Sequence, residues 1–457
     1  DGTRLSAIGT DKKLYVYAND ILYDITPTRQ TNSAVTSIFT TTTGSANVTV
    51  SVTGHGANEG DIVTFSSTGS LDTANTSFTT ADFDRSFEVK SVTNTNAFVI
   101  EQDATEANAG ITANGTSTAA FDINIGPAFS TFGYGWGTST WNTETWGTAR
   151  STSSVTLDGR DWSLDNFGEN LIATVLNGAT YQWSPTNDTL SGKASPVINA
   201  PTTSKFSLVS TPDRHLVLFG TENTIGNPAT QDDLLLRFSD QENINTYQPT
   251  AENTAGSLRI ADGSRIVAAE RSRGQILIWT DTALHSLQYI GPPFTFGLRQ
   301  LGQNCGIIGQ HAGIDLNGNS FWMSQDSFYT FDGSVKKLPC TVEQFVFNNI
   351  NQTASENAFA GHNGEFNEII WFYARTGSDQ INAVVVYNYL EQTWWTGTLA
   401  RTSWIDREVY DNPIGTQYLS GTTANNETIL GLTAGATQIY IHEQGNDADG
   451  EAMDAYL

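Results

Sequence analysis

Short apolar runs alternate with polar turns along most of the chain. Residues 319–333 read NSFWMSQDSFYTFDG: one apolar stretch, a turn of Ser, Gln and Asp, a second stretch rich in aromatics, then Asp-Gly. The same unit recurs. Residues 12–26 read KKLYVYANDILYDIT, 169–184 ENLIATVLNGATYQWS, and 275–291 QILIWTDTALHSLQYIG. In other copies the turn is longer: RHLVLFG then DLLLRFSD (233–240), NEIIWFY (367–373) then INAVVVYNYLEQTWW (381–395), ETILGL (427–432) then TQIYIH (437–442). Apolar strand, turn of Asn, Asp, Gly or Ser, and second strand is the pattern of a β-hairpin. No long stripe of period 3.6 is present, so long helices are not expected. The best helical stretch is VEQFVFNNI, 342–350.

From Phe167 onward the hairpins arrive every 45 to 60 residues or so, close to the roughly 40–50-residue period of propeller blades. Weaker strands precede some of them, as in SLRIADGSRIVAAE (257–270) and CGIIGQHAGIDL (305–316). A blade would take one such strand plus the hairpin. A lone hairpin leaves an apolar face bare, and stacked blades bury those faces against each other. Phe321, Met323, Phe328 and Phe331 are expected between neighbouring sheets, as are Trp279, Leu287, Trp371, Val384, Val386 and Trp394. The fold class is all-β, a β-propeller of repeated hairpins with a small inserted β-domain.

The insert is residues 28–126. It is rich in Thr, Ser and Asn, poor in aromatics, and contains NVTVSVTGHGANEGDIVTFSS (47–67), SFEVKSVTNTNAFVIEQ (86–102) and TAAFDINIG (118–126). Alternating Val and Thr suit antiparallel strands, so a sandwich or barrel is expected there. The domain division is then 1–27 for the first propeller strands, 28–126 for the insert and 127–457 for the rest of the propeller. FGYGWGTSTWNTETWGT (132–148) is expected as a loop clamped by Trp136, Trp141 and Trp146; a ligand-stacking platform is the alternative.

Composition narrows the function. Against 22 Lys and Arg stand 48 Asp and Glu, a formal charge of −26. Such a surface repels nucleic acid and anionic membranes, so this is no conventional nucleic-acid binder. An acidic wall would suit a passage through which DNA slides without sticking. Charged residues are only 15% and aromatics 11%, which fits turn-rich strands and excludes a disordered chain. Cys305 and Cys340 fit neither a zinc pattern nor a disulfide framework, which points to a reducing compartment. No stretch approaches the roughly 18 apolar residues of a membrane-spanning helix, and no signal peptide is visible. The start at Asp1 and the acidic end at Leu457 read as those of a processed or incomplete product.

Candidate chemistry is sparse. The histidines His55, His215, His285, His311, His362 and His442 form no metal-binding spacing, and His55 in GHG reads as a turn residue. There is no G-x-S-x-G and no phosphate-binding loop. SVTLDGRDW (154–162) approaches the Ser-x-Asp-x-Gly-x-x-Trp turn of sialidase-type propellers through Asp158, Gly159 and Trp162, but Thr156 replaces Ser and one residue is missing. NDADGE (446–451) places Asp447, Asp449 and Glu451 near a glycine without the distal Glu of a calcium loop, and reads as a solvated tail. No catalytic residue, metal ligand or cofactor is expected.

The order of these motifs resembles the tail nozzle and stabilisation proteins of short-tailed bacteriophages (podoviruses). The likeness rests on KKLYVYANDILYDIT, on HGANEGDIVTF…FEVKSVTNTNAFVI, on GYGWGTSTWNTETWG, and on RGQILIWTDTALHSLQYIG through LGQNCGIIGQHAGIDLNGNSFWMSQDSFYTFDGSVKKLPCTVEQFVFNNIN. The resemblance implies a virion protein of the tail, a propeller subunit assembled in a ring of six. Portal and adaptor proteins would lie above the ring and fibres or spikes at its side. The ring would close the head and later form the channel for the ejected viral DNA. It supplies no catalytic residue. The alternatives are a propeller that binds or cleaves host polysaccharide and, third, a monomeric adhesin.

Overall fold

The computed structural model describes residues 5–10, 12–19, 21–126, 160–186, 189–211, 213–378, 380–407, 411–418, 437–443, 447–448 and 451–452. The fold is all-β: a seven-bladed β-propeller into which a separate β-sheet is inserted. The chain divides into two compact units, residues 1–207 and 208–457, with the boundary inside strand Phe206–Val209.

Five blades have four antiparallel strands in simple order, and two have three described strands. In six blades the recurring hairpin of the sequence is the second and third strand; in the last, the second described strand is Ile414–Tyr418 and TQIYIH supplies the third, Thr437–Ile441. In the blade that carries NSFWMSQDSFYTFDG these are Asn319–Met323 and Phe328–Phe331, paired from Ser320 opposite Phe331 to Met323 opposite Phe328. Gly313–Leu316 precedes them and Val335–Lys337 follows. The stretch 257–270 is divided between two blades. Gly256–Arg259 is the fourth strand of one and Ile266–Ser272 the first of the next. Positive φ at Asn317 (57°) and Gly318 (95°) closes the two-residue Asn-Gly turn ahead of Asn319. Within residues 208–457 the strands Ile266–Ser272, Gly313–Leu316, Phe359–Asn363 and Ser403–Ile405, each the first of its blade, are successive neighbours.

One core runs through the first three of these blades. Trp279, Trp322 and Trp371 occupy the second strands of three consecutive blades and are fully buried. Trp279 and Trp322 meet edge to face at 5.4 Å, the geometry that ring quadrupoles favour. Trp322 donates its indole N–H to the Cys305 carbonyl and Trp371 to that of Ala312, both at 3.0 Å, so their polar edges are satisfied inside the core. Met323, Phe328, Phe331, Leu287, Val384 and Val386 are buried as the repeats imply. Phe321 and Trp394 are only partly buried. A middle strand has a neighbouring blade on both faces, so Trp322, which strict alternation would turn outward, is buried more completely than Phe321. The expected helix is Glu343–Asn349, docked through Val346.

The insert is a seven-stranded antiparallel sheet between Thr28 and Asp122. Its strand order runs Ser86–Glu88, Ile62–Gly69, Asn114–Asp122, Thr28–Thr41, Asn47–Ser51, Ala97–Glu101, Ser91–Asn94. The sheet curls on itself: just past the Ser86–Glu88 edge, the Lys90 N–H donates to the Val99 carbonyl at 2.8 Å. Phe39, Phe65, Phe83, Phe98 and Phe121 fill its interior. A buried carboxylate ties the connecting loops. Glu106 accepts from Thr41 Oγ1 (2.8 Å), Thr76 Oγ1 (2.6 Å) and the Ser77 N–H (2.7 Å). Burial raises its pKa, but these hydrogen bonds outweigh burial and hold it down to about 2.

Candidate functional site

Among the described residues, four buried or half-buried groupings of titratable side chains bear on possible chemistry. The first lies where the insert returns to the opening hairpin. Asp122 ends strand Asn114–Asp122, Asp24 ends strand Ile21–Asp24, and Lys13 precedes strand Leu14–Ala18. Asp24 bridges two cations, Lys13 Nζ at 2.8 Å and Lys193 Nζ at 2.8 Å. Burial works against its charge, but Lys13, Lys193 and Thr26 outweigh it and hold Asp24 far below the usual carboxylate range. Asp122 is different. Its Oδ2 is buried without a hydrogen bond, 3.9 Å from Lys13 Nζ. Burial pushes it up to about 6 despite both lysines, and the nearby Asp24 charge adds to the rise.

The second place was not foreseen in the sequence. Asp213 and His215 flank the entry to strand Leu216–Phe219, and an Asp-x-His pair matches no metal spacing. His215 Nδ1 lies 2.8 Å from Asp213 Oδ2 and Nε2 lies 3.0 Å from Thr254 Oγ1. This has the outline of an Asp-His-Thr nucleophilic triad. The hydrogen bonds close it. Thr254 Oγ1 accepts the Gln241 N–H at 2.9 Å and donates to Asp240 Oδ1 at 2.8 Å. Its single proton is therefore aimed at a carboxylate and not at the imidazole. His215 is fully buried under Phe238, Phe296 and Tyr289, out of reach of substrate. Burial raises Asp213, and the bonds from His215 and Ser210 outweigh it, leaving the acid ionised and tied down. The arrangement locks two loops together.

The third pairs His362 Nδ1 with Asp406 Oδ2 at 2.9 Å, while the Gly364 N–H takes the same oxygen at 3.0 Å. The fourth is Arg401, whose Nε donates to His442 Nε2 at 3.0 Å and whose guanidinium lies over Tyr440. Burial and the arginine charge push His442 down to about 4, so it accepts as a neutral ring.

Of the remaining sequence candidates, His55 is buried in its turn, with Nδ1 accepting the Ala57 N–H at 3.0 Å and Nε2 2.9 Å from the Asn94 carbonyl. His285 is buried, and burial lowers its pKa. His311 accepts the Ala360 N–H through its backbone carbonyl. Cys305 and Cys340 are free thiols, both pushed up to about 11 by burial, poor nucleophiles at neutral pH. Among the described residues no group of three His, Cys, Asp or Glu is placed to hold a metal ion. Trp162 is buried and donates to the Thr10 carbonyl at 2.9 Å. Thr156, Asp158, Gly159, Asp449, Trp136, Trp141 and Trp146, the segment 132–148 and ETILGL lie outside the described residues. Asp447 and Glu451 lie in a short two-stranded sheet.

Most of the cations that are described face acids. Lys90 meets Glu101, Arg259 meets Asp232, Lys336 meets Asp332, Lys337 meets Glu343 and Arg407 meets Glu365, all between 2.6 and 3.0 Å. Arg237, buried, gives its protons to the Glu222 and Asn223 carbonyls. No helix among the described residues is long and apolar enough to cross a membrane.

No known protein family and no curated protein matches the chain. Solved structures similar to it match at low identity and low TM-score. The computationally designed Ika8 protein is 10% identical with a TM-score of 0.35, over 57% of this chain and 69% of that one. The dihydro-heme d1 dehydrogenase NirN is 10% identical with a TM-score of 0.36, over 57% of this chain and 51% of its own. The phage phi92 endosialidase is 11% identical with a TM-score of 0.22, over 82% of this chain and 53% of its own.

Proposed function

We propose that the chain is a structural virion protein without catalytic activity, one subunit of a hexameric ring at a phage tail that retains packaged DNA and later lets it pass. The observation that carries this reading is how charge is disposed. A chain of net charge −26 turns most of its described cations to its own carboxylates and carbonyls. DNA sliding past such a surface meets no row of free Lys or Arg and releases few counterions, so it does not adhere. The Asp-His-Thr group supports the non-enzymatic part, because its proton runs to Asp240 and its imidazole is sealed. The portal and adaptor above, the fibres or spikes at the side and the place in the tail belong to the same proposal and follow from the motif order. Electron cryomicroscopy of the assembled ring tests it. The wall of the passage is expected to carry Asp, Glu and uncharged polar side chains, and a wall lined with unpaired Lys and Arg rejects the mechanism.

A second reading is favoured by Trp395. Its indole is exposed, lies over Gly397 and donates to Glu368 Oε1 at 3.2 Å, an arrangement on which a sugar ring could stack. This is the polysaccharide-binding propeller. The other described tryptophans are buried or half-buried, which limits that reading to one platform.

A further inference from the structure

We propose that the hairpin tip Tyr289–Phe294 is a membrane-docking element that inserts into the interfacial layer of a lipid bilayer. The hairpin is formed by the long strands Ala283–Gly291 and Thr295–Gln303, the third and fourth strands of their blade. At its tip Phe294 is 73% exposed, Ile290 56% and Tyr289 39%, and Pro292 and Pro293 between them are exposed too. Water-facing apolar groups this large in one turn mark a contact surface.

The tip is built to stay out. Thr295 and Phe296, directly after it, are buried. Phe296 packs on Phe238 at 4.9 Å and on His215 at 5.2 Å, and Thr295 Oγ1 donates to the Thr254 carbonyl at 2.9 Å. The sealed Asp213-His215-Thr254 group is thus the socket from which the hairpin projects. Ile290 and Phe294 are held in water by a rigid root, where a loose loop would fold them back.

Two features favour lipid over a protein partner. From Thr282 to Leu298 the chain contains no Asp, Glu, Lys or Arg, so this segment drags no charge of its own toward hydrocarbon. The apex also has fewer backbone donors than an ordinary turn. Pro292 and Pro293 carry no N–H, and the Phe296 N–H is taken by the Phe294 carbonyl at 2.7 Å. In a bilayer each unpaired N–H is costly, so an apex with few of them enters at low cost. Tyr and Phe at the tip suit the headgroup boundary. The acidic chain adds a preference for zwitterionic over anionic lipid.

The test is flotation of the full chain with phosphatidylcholine vesicles and with vesicles that also contain phosphatidylglycerol. The chain is expected to float with the first and less with the second. Ile290→Ser and Phe294→Ser, at exposed positions that leave the core intact, are each expected to weaken partition by about tenfold. No flotation, or flotation unchanged in both variants, overturns the proposal. If both variants instead lose self-association in solution while vesicle binding stays, the occupant is a second copy of the chain and the lipid assignment fails.

Discussion

Trp404 lies flat on the backbone of Gly361. A Cβ added to that glycine would stand 2.7 Å from the indole, and the Trp404 N–H donates to the carbonyl of the next residue, His362, at 2.8 Å. Both residues sit on first strands of adjacent blades. The same local device recurs between another such pair, where Trp162 covers Gly9 and donates to Thr10. A bare backbone position on one blade and an indole on the next thus set how closely two sheets approach. Gly361→Ala is expected to force the sheets apart and cost about 1–3 kcal/mol, as overpacking does. Gly9→Ala is expected to act in the same direction. A urea midpoint unchanged in both variants would show that the indoles merely cover the glycines.

Asp122 makes stability depend on pH in a stated direction. Its folded pKa is raised from 3.8 to about 6, so the folded chain binds a proton that the unfolded chain releases. Stability from this group is present at low pH and is lost as pH rises from about 4 through about 6. The facing groups are Lys13, Lys193 and Asp24; Lys13 is raised and Asp24 lowered, so neither of these two titrates in that window. Asp122→Asn is expected to stabilise the chain at pH 7.5 by roughly 2–3 kcal/mol, the size of the two-unit shift. It should change little at pH 4. Melting curves at the two pH values check this, and destabilisation at both would mean that the charge is needed.

Glu106 carries the opposite sign. Its pKa is lowered to about 2, so its contribution is present above the unfolded value of 4.5 and is lost as pH falls toward 2. Glu106→Gln is expected to destabilise the insert at neutral pH by a few kcal/mol, because a buried acceptor of several donors is replaced by a group with protons of its own. Hydrogen exchange at the Ser77 and Asn108 amides, both of which donate to Glu106, should rise selectively, and protection equal to that of the parent would refute the clamp.

His215→Ala leaves Asp213 buried and short of its main partner. A loss of about 3–5 kcal/mol is expected, as for other broken buried pairs. If the group were catalytic instead, the variant would melt near the parent and lose a hydrolytic activity that the parent shows.

At physiological salt the chain is expected to leave duplex DNA unretarded in a gel, since acids outnumber its cations 48 to 22 and most of the described cations already face acids. Retardation that weakens steeply as salt is raised would show a basic face and count against the non-adhesive passage.

Much of the fold was legible in the sequence because hairpins announce themselves locally. Apolar runs such as NSFWM and FYTF, separated by a polar turn, specify two antiparallel strands without reference to the rest of the chain. Blade count and strand assignment were not legible. First and fourth strands, such as Gly256–Arg259 and Val335–Lys337, are short and half-exposed, so their pattern is weak. Phe321 and Trp322 could not be ranked by alternation, because a strand between two blades is buried on both faces. The site was harder still. Thr254 and Asp240 reach His215 only through pairing across a blade, and Asp122 meets Lys13 only after the whole insert has folded. Spacing along the chain carries no trace of either meeting.

The central claim is that this propeller works as one subunit of a ring around DNA. The native mass of the purified chain, taken with negative-stain images of the same sample, tests it most directly. The account predicts closed rings of about six subunits with a central hole, in keeping with the closed symmetry of most homo-oligomers. A chain that stays monomeric at every concentration and binds or depolymerises polysaccharide would contradict it.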